Sequence, residues 1–471
     1  MAQTFFFYDL ETSGLNPRQD RIMQFAGQRT DMNLEPIGDP YNLLVTLNDD
    51  TLPSPDALMV TGITPQKTVE EGYTEAQFAR MLSEEIFTPE TVAVGFNNIR
   101  FDDEFIRHLL WRNFHDPYEW SWKDGRSRWD LLDVVRLTRA LRPEGINWPL
   151  DDKGEPSNRL ELITSANGIA HENAHDALAD VTALIAVTKL IKQKQPQLYD
   201  YLLKMRDKKV VQQLVNVDDK KPFVYASGRY DKEFAKTTVA FPLTTSRNGG
   251  VVVYDLRYDP MPFVDLSVEE LAKKIFVSWE ERQAEDFIKL PVKELQYNRC
   301  PAVAPLGVLE QGDGWQKISL DAETIQKHQN ILLKHPDFAE KLRSIFENKP
   351  AFKKLPDPEA QLYDGFLNDR DRLRVEAVRN ADERELADFH PEFQDKRLTP
   401  LLLHYKARNF PRSLSEDDLA QWEAWRAQRL QAQLPGFMAS LQRLASTATD
   451  EQQFILQELQ LWAEAVLPSS D

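Results

Sequence analysis

The chain has 471 residues, 42% of them hydrophobic and 28% charged, and a formal net charge of −18 at pH 7. The length predicts two to four domains with ample core, and the acidic balance argues against non-specific coating of duplex DNA. The single cysteine, Cys300, excludes intramolecular disulfides and suits a reducing cytoplasm. We expect neither a signal peptide nor a membrane span, because the N-terminus has no basic region and no apolar stretch approaches ~18 residues.

The charge is unevenly distributed along the chain. Residues 1–181 carry a net charge of −15, residues 182–350 carry +3 and residues 351–471 carry −6. A local groove for nucleic acid is therefore compatible with the composition, especially where bound cations offset the acids.

The first third of the chain alternates strand-like and helix-like segments, which is typical of an α/β domain. Ser157 or Asn158 is the expected N-cap of its second helix, and Pro196 ends its last helix. We therefore expect a first domain over residues 1–195. The predicted strands are Phe5–Leu10, Ile22–Arg29, Tyr41–Val45 and Val92–Gly95, and the predicted helices are Glu75–Phe87, Arg159–Asn167 and Ala177–Lys194.

The pattern changes after residue 195. The segments KPFVYAS, TTVAFPL and GGVVVYDLR are short and β-branched, which predicts a small barrel or sandwich within residues 196–350. Helical patterns follow at Val268–Val277 and Ala322–Leu333. The stretch NKPAFKKLPDPE predicts a linker near residues 348–359, and the long polar-apolar patterns beyond it predict an all-helical domain within residues 351–471.

The first predicted strand ends in two carboxylates, Asp9 and Glu11. Successive side chains of a strand alternate between its faces, so these two share one face. Like charges about 6–7 Å apart repel each other, and partial burial strengthens the repulsion. A divalent cation with oxygen ligands would relieve it, although a solvated edge strand shows the same short pattern by chance.

Two further polar clusters point to the same chemistry. NNIRFDDEF places Asp102 and Asp103 after a strand and at the start of a helix, and AHDALADV places His175 before the helix that carries Asp180. Two divalent cations ~3.5–4 Å apart could be held by Asp9, Glu11, Asp102 and Asp180, and would clamp a phosphodiester. A histidine with a pKa of ~6.5 can take a proton from water. Taken alone, each of these residues fits an ordinary role as a helix cap, as part of a solvated helix face or as part of a surface loop. Taken together, they predict a metal-dependent catalytic site.

Aromatic and basic residues alternate within residues 100–142. Nine Lys and Arg are interleaved with aromatic rings, and such rings stack unpaired bases without sequence preference. About half of these aromatics are expected in the core. Trp120 and Trp122 share a face if the segment is extended, so that face could equally be core.

The motifs DLET, NNIRFDDEF and AHDALAD resemble the DEDD exonuclease superfamily, in its histidine branch. The further stretches SRWDLLDVVR, LRPEGINWP, SNRLE, AQLYDGF and HYKARNFP resemble the bacterial exonuclease I family, which removes 5′-mononucleotides from the 3′ end of single-stranded DNA. The resemblance implies a ribonuclease-H-like nuclease domain with a mixed sheet and flanking helices, an SH3-like middle domain and a helical C-terminal domain. It also implies a monomeric, C-shaped clamp that acts in DNA repair and recombination, including mismatch repair.

The resemblance assigns roles to individual residues. Asp9, Glu11 and Asp180 match metal ligands, for Mg²⁺ or a substituting Mn²⁺, and Glu11 also matches a substrate contact. Asp102, preferred to Asp103 by its spacing from the asparagine, completes the acidic set. His175 matches the general base, and Arg159 matches a contact to the substrate phosphate. The DNA-contact positions of the family match Arg107, Tyr118, Trp122 and Arg136. The family's pocket for the C-terminal tail of the single-stranded-DNA-binding protein matches Arg142 and Tyr201.

Other interpretations stay open at this point. Arg159 also fits a charge on a helix face, and Arg142 and Tyr201 fit a solvated arginine and a packed tyrosine. A 3′→5′ exoribonuclease of the same superfamily is the alternative enzyme, because discrimination depends on the 2′-OH. A non-catalytic single-strand-binding scaffold would need a missing acidic ligand, and none is missing.

Overall fold

The computed structural model describes residues 2–171, 176–247, 249–277, 280–281, 287–349 and 354–468. The chain divides into two compact units. The first unit comprises Met1–Arg128, His171–Ile185 and Lys353–Asp471, and the second comprises Trp129–Ala170 and Ala186–Phe352. Within the described residues, no helix combines the length and apolarity that a membrane crossing requires.

Strands and helices alternate early in the chain, and helices dominate its end. The strands are β1 (Thr4–Thr12), β2 (Ile22–Thr30), β3 (Tyr41–Leu44), β4 (Thr91–Gly95), β5 (Ser127–Asp130), β6 (Phe223–Ala226), β7 (Thr237–Thr245), β8 (Val251–Asp255), β9 (Val292–Leu295) and β10 (Ala302–Pro305). The α-helices are α1 (Pro55–Thr61), α2 (Pro65–Glu71), α3 (Glu75–Met81), α4 (Asp102–Arg112), α5 (Leu131–Leu141), α6 (Leu160–Ala166), α7 (Ala177–Lys194), α8 (Pro196–Lys204), α9 (Lys208–Leu214), α10 (Met261–Val264), α11 (Val268–Ile275), α12 (Gly314–Lys317), α13 (Ala322–Lys334), α14 (Pro336–Glu347), α15 (Asp369–Asn380), α16 (Glu383–Asp388), α17 (Leu398–Asn409), α18 (Glu416–Ala445) and α19 (Asp450–Val466).

The N-terminal sheet is mixed, as expected, with the strand order β3-β2-β1-β4-β5. The central strand β1 runs antiparallel to β2 and parallel to β4. Its side chains Phe6, Tyr8 and Leu10 all point to one face, where they join a buried core with Phe25 and Phe105. The opposite face of the strand therefore carries Asp9 and Glu11.

The C-terminal helices pack on the N-terminal part of the first unit. Leu430 of α18 and Leu459 of α19 are fully buried in one core with Met23 and Leu58. A second core joins Trp111 of α4 to the C-terminal segment. Burial of apolar surface on both sides explains why these segments belong to one compact unit.

The end of the predicted linker is ordered, so the linker prediction is wrong there. Pro358–Asp364 forms a 3₁₀ helix, and Glu359 within it is buried. Its carboxylate accepts hydrogen bonds from Arg21 at 2.8 Å and from His404 at 2.8 Å, and it pairs with Arg408 at 2.6 Å. These partners lie up to 338 positions away in the sequence, which no local pattern reveals.

The second unit contains an antiparallel five-stranded sheet with the order β10-β6-β7-β8-β9. Its register shifts between Pro242 and Thr244 of β7, as a bulge does. The residues Phe223, Val251 and Leu295 are fully buried in its core. The short strands predicted from β-branched segments in the middle of the chain are therefore present.

Two local predictions differ from the structure. The helix predicted over Glu75–Phe87 is α-helical only to Met81 and continues as a π-helical turn over Leu82–Ile86. The segment around Trp120 is a 3₁₀ turn and not an extended strand. Trp120 turns into the core, where its indole N–H donates to the Pro117 carbonyl at 3.1 Å.

Candidate active site

Three carboxylates of the first unit converge. Asp9 and Glu11 project from the same face of β1, opposite Ala26 and Gln24 of β2, and Asp180 lies in the first turn of α7. One carboxylate oxygen from each of the three lies within 4.8 Å of the others, and all three side chains are partly exposed. The structure therefore brings together the three residues predicted as metal ligands.

Local contacts fix the start of the helix that carries Asp180. The Asp176 carboxylate accepts hydrogen bonds from the backbone N–H groups of Leu178 and Ala179, both at 3.1 Å. An aspartate at this position satisfies amide groups that the first helical turn leaves without partners. Asp180 then follows one turn later and faces the cluster.

Electrostatic repulsion within the cluster is strong. Burial, followed by the charges of Asp102, Glu11 and Asp180, raises the pKa of Asp9 well above its usual value. Burial, followed by the charges of Asp180 and Asp102, raises the pKa of Glu11 to about 8. A site made of hard oxygen donors with uncompensated negative charge fits a divalent cation, which would reverse both shifts.

The two neighbouring aspartates at the start of α4 have different environments. Asp103 is fully buried and accepts hydrogen bonds from the Tyr8 hydroxyl, from Arg128 at 2.5 Å and from the Asn98 amide at 3.3 Å. The charge of Asp102 is instead the largest electrostatic cause that raises the pKa of Asp9. This arrangement favours Asp102 as the fourth acid of the site and gives Asp103 a structural task.

A tight turn places α4 beside β1. At Gly95, which ends β4, a Cβ atom would lie 2.5 Å from the Cβ of Asn98, so a larger residue does not fit. Asn97 adopts a left-handed conformation with φ of 68°, and Asn98 donates to the Tyr8 hydroxyl at 3.2 Å. Asparagine tolerates this conformation better than most residues, which explains the Asn-Asn pair.

The predicted general base, His175, lies outside the described residues. A second histidine, His171, is described, and sequence reasoning missed it. Its Nε2 atom lies 2.7 Å from Asp180 Oδ1, and its side chain is 4% exposed. Both histidines belong to the stretch HENAHD, but a loop residue carries no periodicity that would have identified it.

Three of the predicted DNA contacts lie in the first unit. Trp122 is 64% exposed, whereas its neighbour Trp120 is buried. Arg107 donates to Glu104 at 2.9 Å, and its guanidinium lies 5.7 Å from the centroid of the Tyr118 ring. Trp122 thus presents an exposed ring, and Arg107 places a cation beside the ring of Tyr118; exposed rings and nearby cations are the features that a base-stacking surface uses.

The AQLYDGF segment places two further aromatic rings beside Tyr118. The rings of Tyr363 and Phe366 lie 6.4 and 6.1 Å from the ring of Tyr118, and Phe366 is 84% exposed. The AQLYDGF motif contributes to the family resemblance, but the sequence does not predict that its two rings lie beside Tyr118. A separation of about 245 positions explains why.

The remaining predicted contacts lie in the second unit. Arg136 donates to Asp133 at 2.6 Å, and Arg159 is exposed and pairs with Glu161. Arg142 donates to the Gln311 side chain at 3.2 Å, and Tyr201 is partly buried against the core of the β6–β10 sheet. The roles predicted for these four residues stay predictions.

A mixed sheet that presents clustered carboxylates beside helix starts defines a ribonuclease-H-like, metal-dependent nuclease. Comparison with known families agrees with this class. Residues 6–188 match the family described as Exonuclease, residues 206–348 match the Exonuclease I SH3-like domain, and residues 356–466 match the Exonuclease I C-terminal domain.

Comparison with individual proteins narrows the class. The chain is 40% identical over 450 residues to exodeoxyribonuclease I of Haemophilus influenzae, covering 95% of each chain. Two solved structures are also similar: E. coli exonuclease I with a dA16 oligonucleotide and the zinc-bound form of the E. coli enzyme with single-stranded DNA. Each has a TM-score of 0.94 and 38% identity, with 99% of this chain and 100% of that chain covered. The chain therefore belongs to the exonuclease I family, which confirms the predicted fold class and resemblance.

Proposed function

We propose that the chain is a metal-dependent 3′→5′ exodeoxyribonuclease that releases 5′-mononucleotides from single-stranded DNA. The observation that carries the proposal is the convergence of Asp9, Glu11 and Asp180 within 4.8 Å in a chain of this family. The solved E. coli relative holds a DNA oligonucleotide, which supports the choice of substrate.

The residues of the site would divide the chemistry among them. Asp9, Glu11 and Asp180 would bind two divalent cations, Mg²⁺ or a substituting Mn²⁺, and Asp102 adds negative charge beside them. Such cations polarise the phosphodiester and stabilise the attacking and leaving oxygens. His175 would take the proton from the attacking water as general base.

The exposed ring of Trp122 and the pairing of Arg107 with the Tyr118 ring suit a single strand. Exposed rings stack unpaired bases at about 1–3 kcal/mol each, and this is independent of sequence. The phosphates along the single strand would be contacted by Arg107, Arg136 and Arg159. Rigid duplex cannot offer unpaired bases to these rings, and the net charge of −18 repels it.

The alternative of an exoribonuclease is tested by matched substrates. DNA and RNA oligomers of one sequence, digested with Mg²⁺, should give rapid shortening of DNA and little of RNA. Equal rates would favour the exoribonuclease, because the site then tolerates the 2′-OH. Binding without hydrolysis in Mg²⁺ and Mn²⁺ would favour a non-catalytic scaffold.

We also propose a cellular role and a partner. The enzyme would act as a cytoplasmic monomer in repair and recombination, and Arg142 and Tyr201 would bind the acidic tail of the single-stranded-DNA-binding protein. A titration with the tail peptide should show weaker binding to Arg142→Ala. Arg443→Ala, which alters an exposed arginine paired with Asp56, serves as the control. Equal affinity of wild type and Arg142→Ala would remove Arg142 from the partner site.

A further inference from the structure

The contact between His171 and Asp180 connects a buried imidazole to the acidic cluster. The Nε2 atom lies 2.7 Å from Asp180 Oδ1, a normal hydrogen-bond distance. The imidazole is almost completely enclosed, with 4% of the side chain exposed, whereas 19% of Asp180 is exposed. His171 therefore touches one oxygen of a carboxylate that the cluster presents to a cation.

The orientation of Asp180 matters because its carboxylate must act together with two others. Its charge is the largest electrostatic cause that raises the pKa of Glu11, so the carboxylates repel each other before any cation is bound. A freely rotating carboxylate would turn away to reduce that repulsion. A hydrogen bond to Oδ1 fixes the plane of the group, so the carboxylate keeps its orientation towards the cluster.

We propose that His171 is a positioning residue that donates its Nε2–H to Asp180 Oδ1 and so orients Asp180 for cation binding. This inference rests on the proposed metal site. Outer hydrogen bonds to metal-ligating groups fix their geometry, and their loss weakens metal affinity by about 10–100-fold. The role differs from that of His175, because a base must reach the attacking water whereas His171 acts through Asp180.

A matched pair of substitutions tests the donor. Glutamine and methionine have similar length and volume, but only His171→Gln keeps an N–H that can reach Asp180. Calorimetric titration of the full chain with Mn²⁺ should give a Kd raised about 10–100-fold for His171→Met. His171→Gln should restore most of the affinity, which a purely space-filling role would not require.

A second buried histidine provides the control. His115 is 6% exposed and lies 3.0 Å from the Ser83 hydroxyl, so it resembles His171 in burial but has a different partner. His115→Met should bind Mn²⁺ as tightly as wild type does. Thermal unfolding without cation shows whether each variant is folded, and His171→Leu, which also lacks an N–H, replaces His171→Met if the latter is not.

The outcomes separate this inference from the proposed function. An unchanged Kd in His171→Met, an equal loss in His171→Met and His171→Gln, or tighter binding in His171→Met would overturn it. The last result would mean that the imidazole competes with the cation. Absence of Mn²⁺ binding by wild type would instead contradict the metal site, and the inference with it.

Discussion

At the scale of single residues, the alternation of side chains on β1 was enough to predict that Asp9 and Glu11 share a face, and they do. The identity of the third partner required the histidine-containing motif, because Asp180 lies about 170 positions away. His171 was missed because its contact with Asp180 depends on a loop conformation. Residue-level chemistry is therefore predictable where it follows from a repeating backbone geometry.

The raised pKa of Glu11 predicts how the cation-free protein responds to pH. Because burial and neighbouring carboxylates raise this pKa from 4.5 to about 8, the folded state binds a proton more tightly than the unfolded state does. Stability should therefore fall as pH rises from about 4.5 to 8. Thermal unfolding with chelator should show this fall, and Glu11→Gln should reduce it. An identical pH dependence in Glu11→Gln would contradict the assignment.

His175 is predicted to act in the chemical step and not in binding. His175→Ala should lose activity by roughly 10²–10⁴, the range for a positioned general base. Binding of single-stranded DNA in Ca²⁺ should survive, because the carboxylates are unchanged. The variant should also lack the rise in rate through the imidazole pKa that wild type is expected to show. Retained turnover with an unchanged pH profile would exclude the role.

At the scale of elements, the Asn-Asn turn and the start of α4 form one buried network around Asp103. The sequence predicted a helix start at this place, and only the spacing in the family motif favoured Asp102 over Asp103 for the acidic set. Asp103 is held in the interior because the guanidinium of Arg128, 25 positions later in the chain, donates a hydrogen bond to its carboxylate. Tyr8 of β1 completes the network, so the strand and the helix are held together by the same carboxylate.

Asp103→Asn is predicted to be a stability variant. The substitution replaces the carboxylate that pairs with the buried guanidinium of Arg128 by a neutral amide, and breaking a buried ion pair costs about 3–5 kcal/mol. Urea unfolding should show this loss. Glu119→Gln is the matched control, because its pair with Lys123 is exposed and should contribute at most about 1 kcal/mol. A loss no greater in Asp103→Asn than in the control would contradict the proposed network.

At the scale of the whole molecule, composition and motif order predicted a nuclease part, a β-rich part and a helical part, and the family comparison agrees with that order. The buried ionic cluster of Glu359 could not be predicted, because Glu359 ends a proline- and lysine-rich stretch whose local pattern is typical of a solvated linker. Its partners Arg21, His404 and Arg408 come from distant segments of the first unit. Long-range charge pairing has no periodic signal in sequence.

The same cluster predicts how the first unit responds to acid. Burial raises the pKa of Glu359, but Arg408 and Arg21 outweigh burial and hold the pKa well below its usual value. The stabilisation is therefore present above a pH of about 4.5 and is lost as pH falls towards the folded-state pKa. Urea midpoints at pH 7 and at about pH 3 should show Glu359→Gln destabilised at pH 7 and less sensitive to acid than wild type. If Glu359→Gln were as sensitive to acid as wild type, a group other than Glu359 would be responsible for the loss of stability in acid.

The central claim is that the acidic cluster hydrolyses single-stranded DNA from its 3′ end. The most direct measurement follows a 5′-labelled single-stranded oligonucleotide in Mg²⁺, beside a blunt duplex of the same sequence and the variant Asp9→Ala. We predict that the labelled strand shortens progressively from the 3′ end, that the duplex is a poor substrate, and that chelator or Asp9→Ala abolishes hydrolysis while the fold is kept. Early release of the 5′ label, equal rates on duplex and single strand, or near-normal hydrolysis by Asp9→Ala would contradict it.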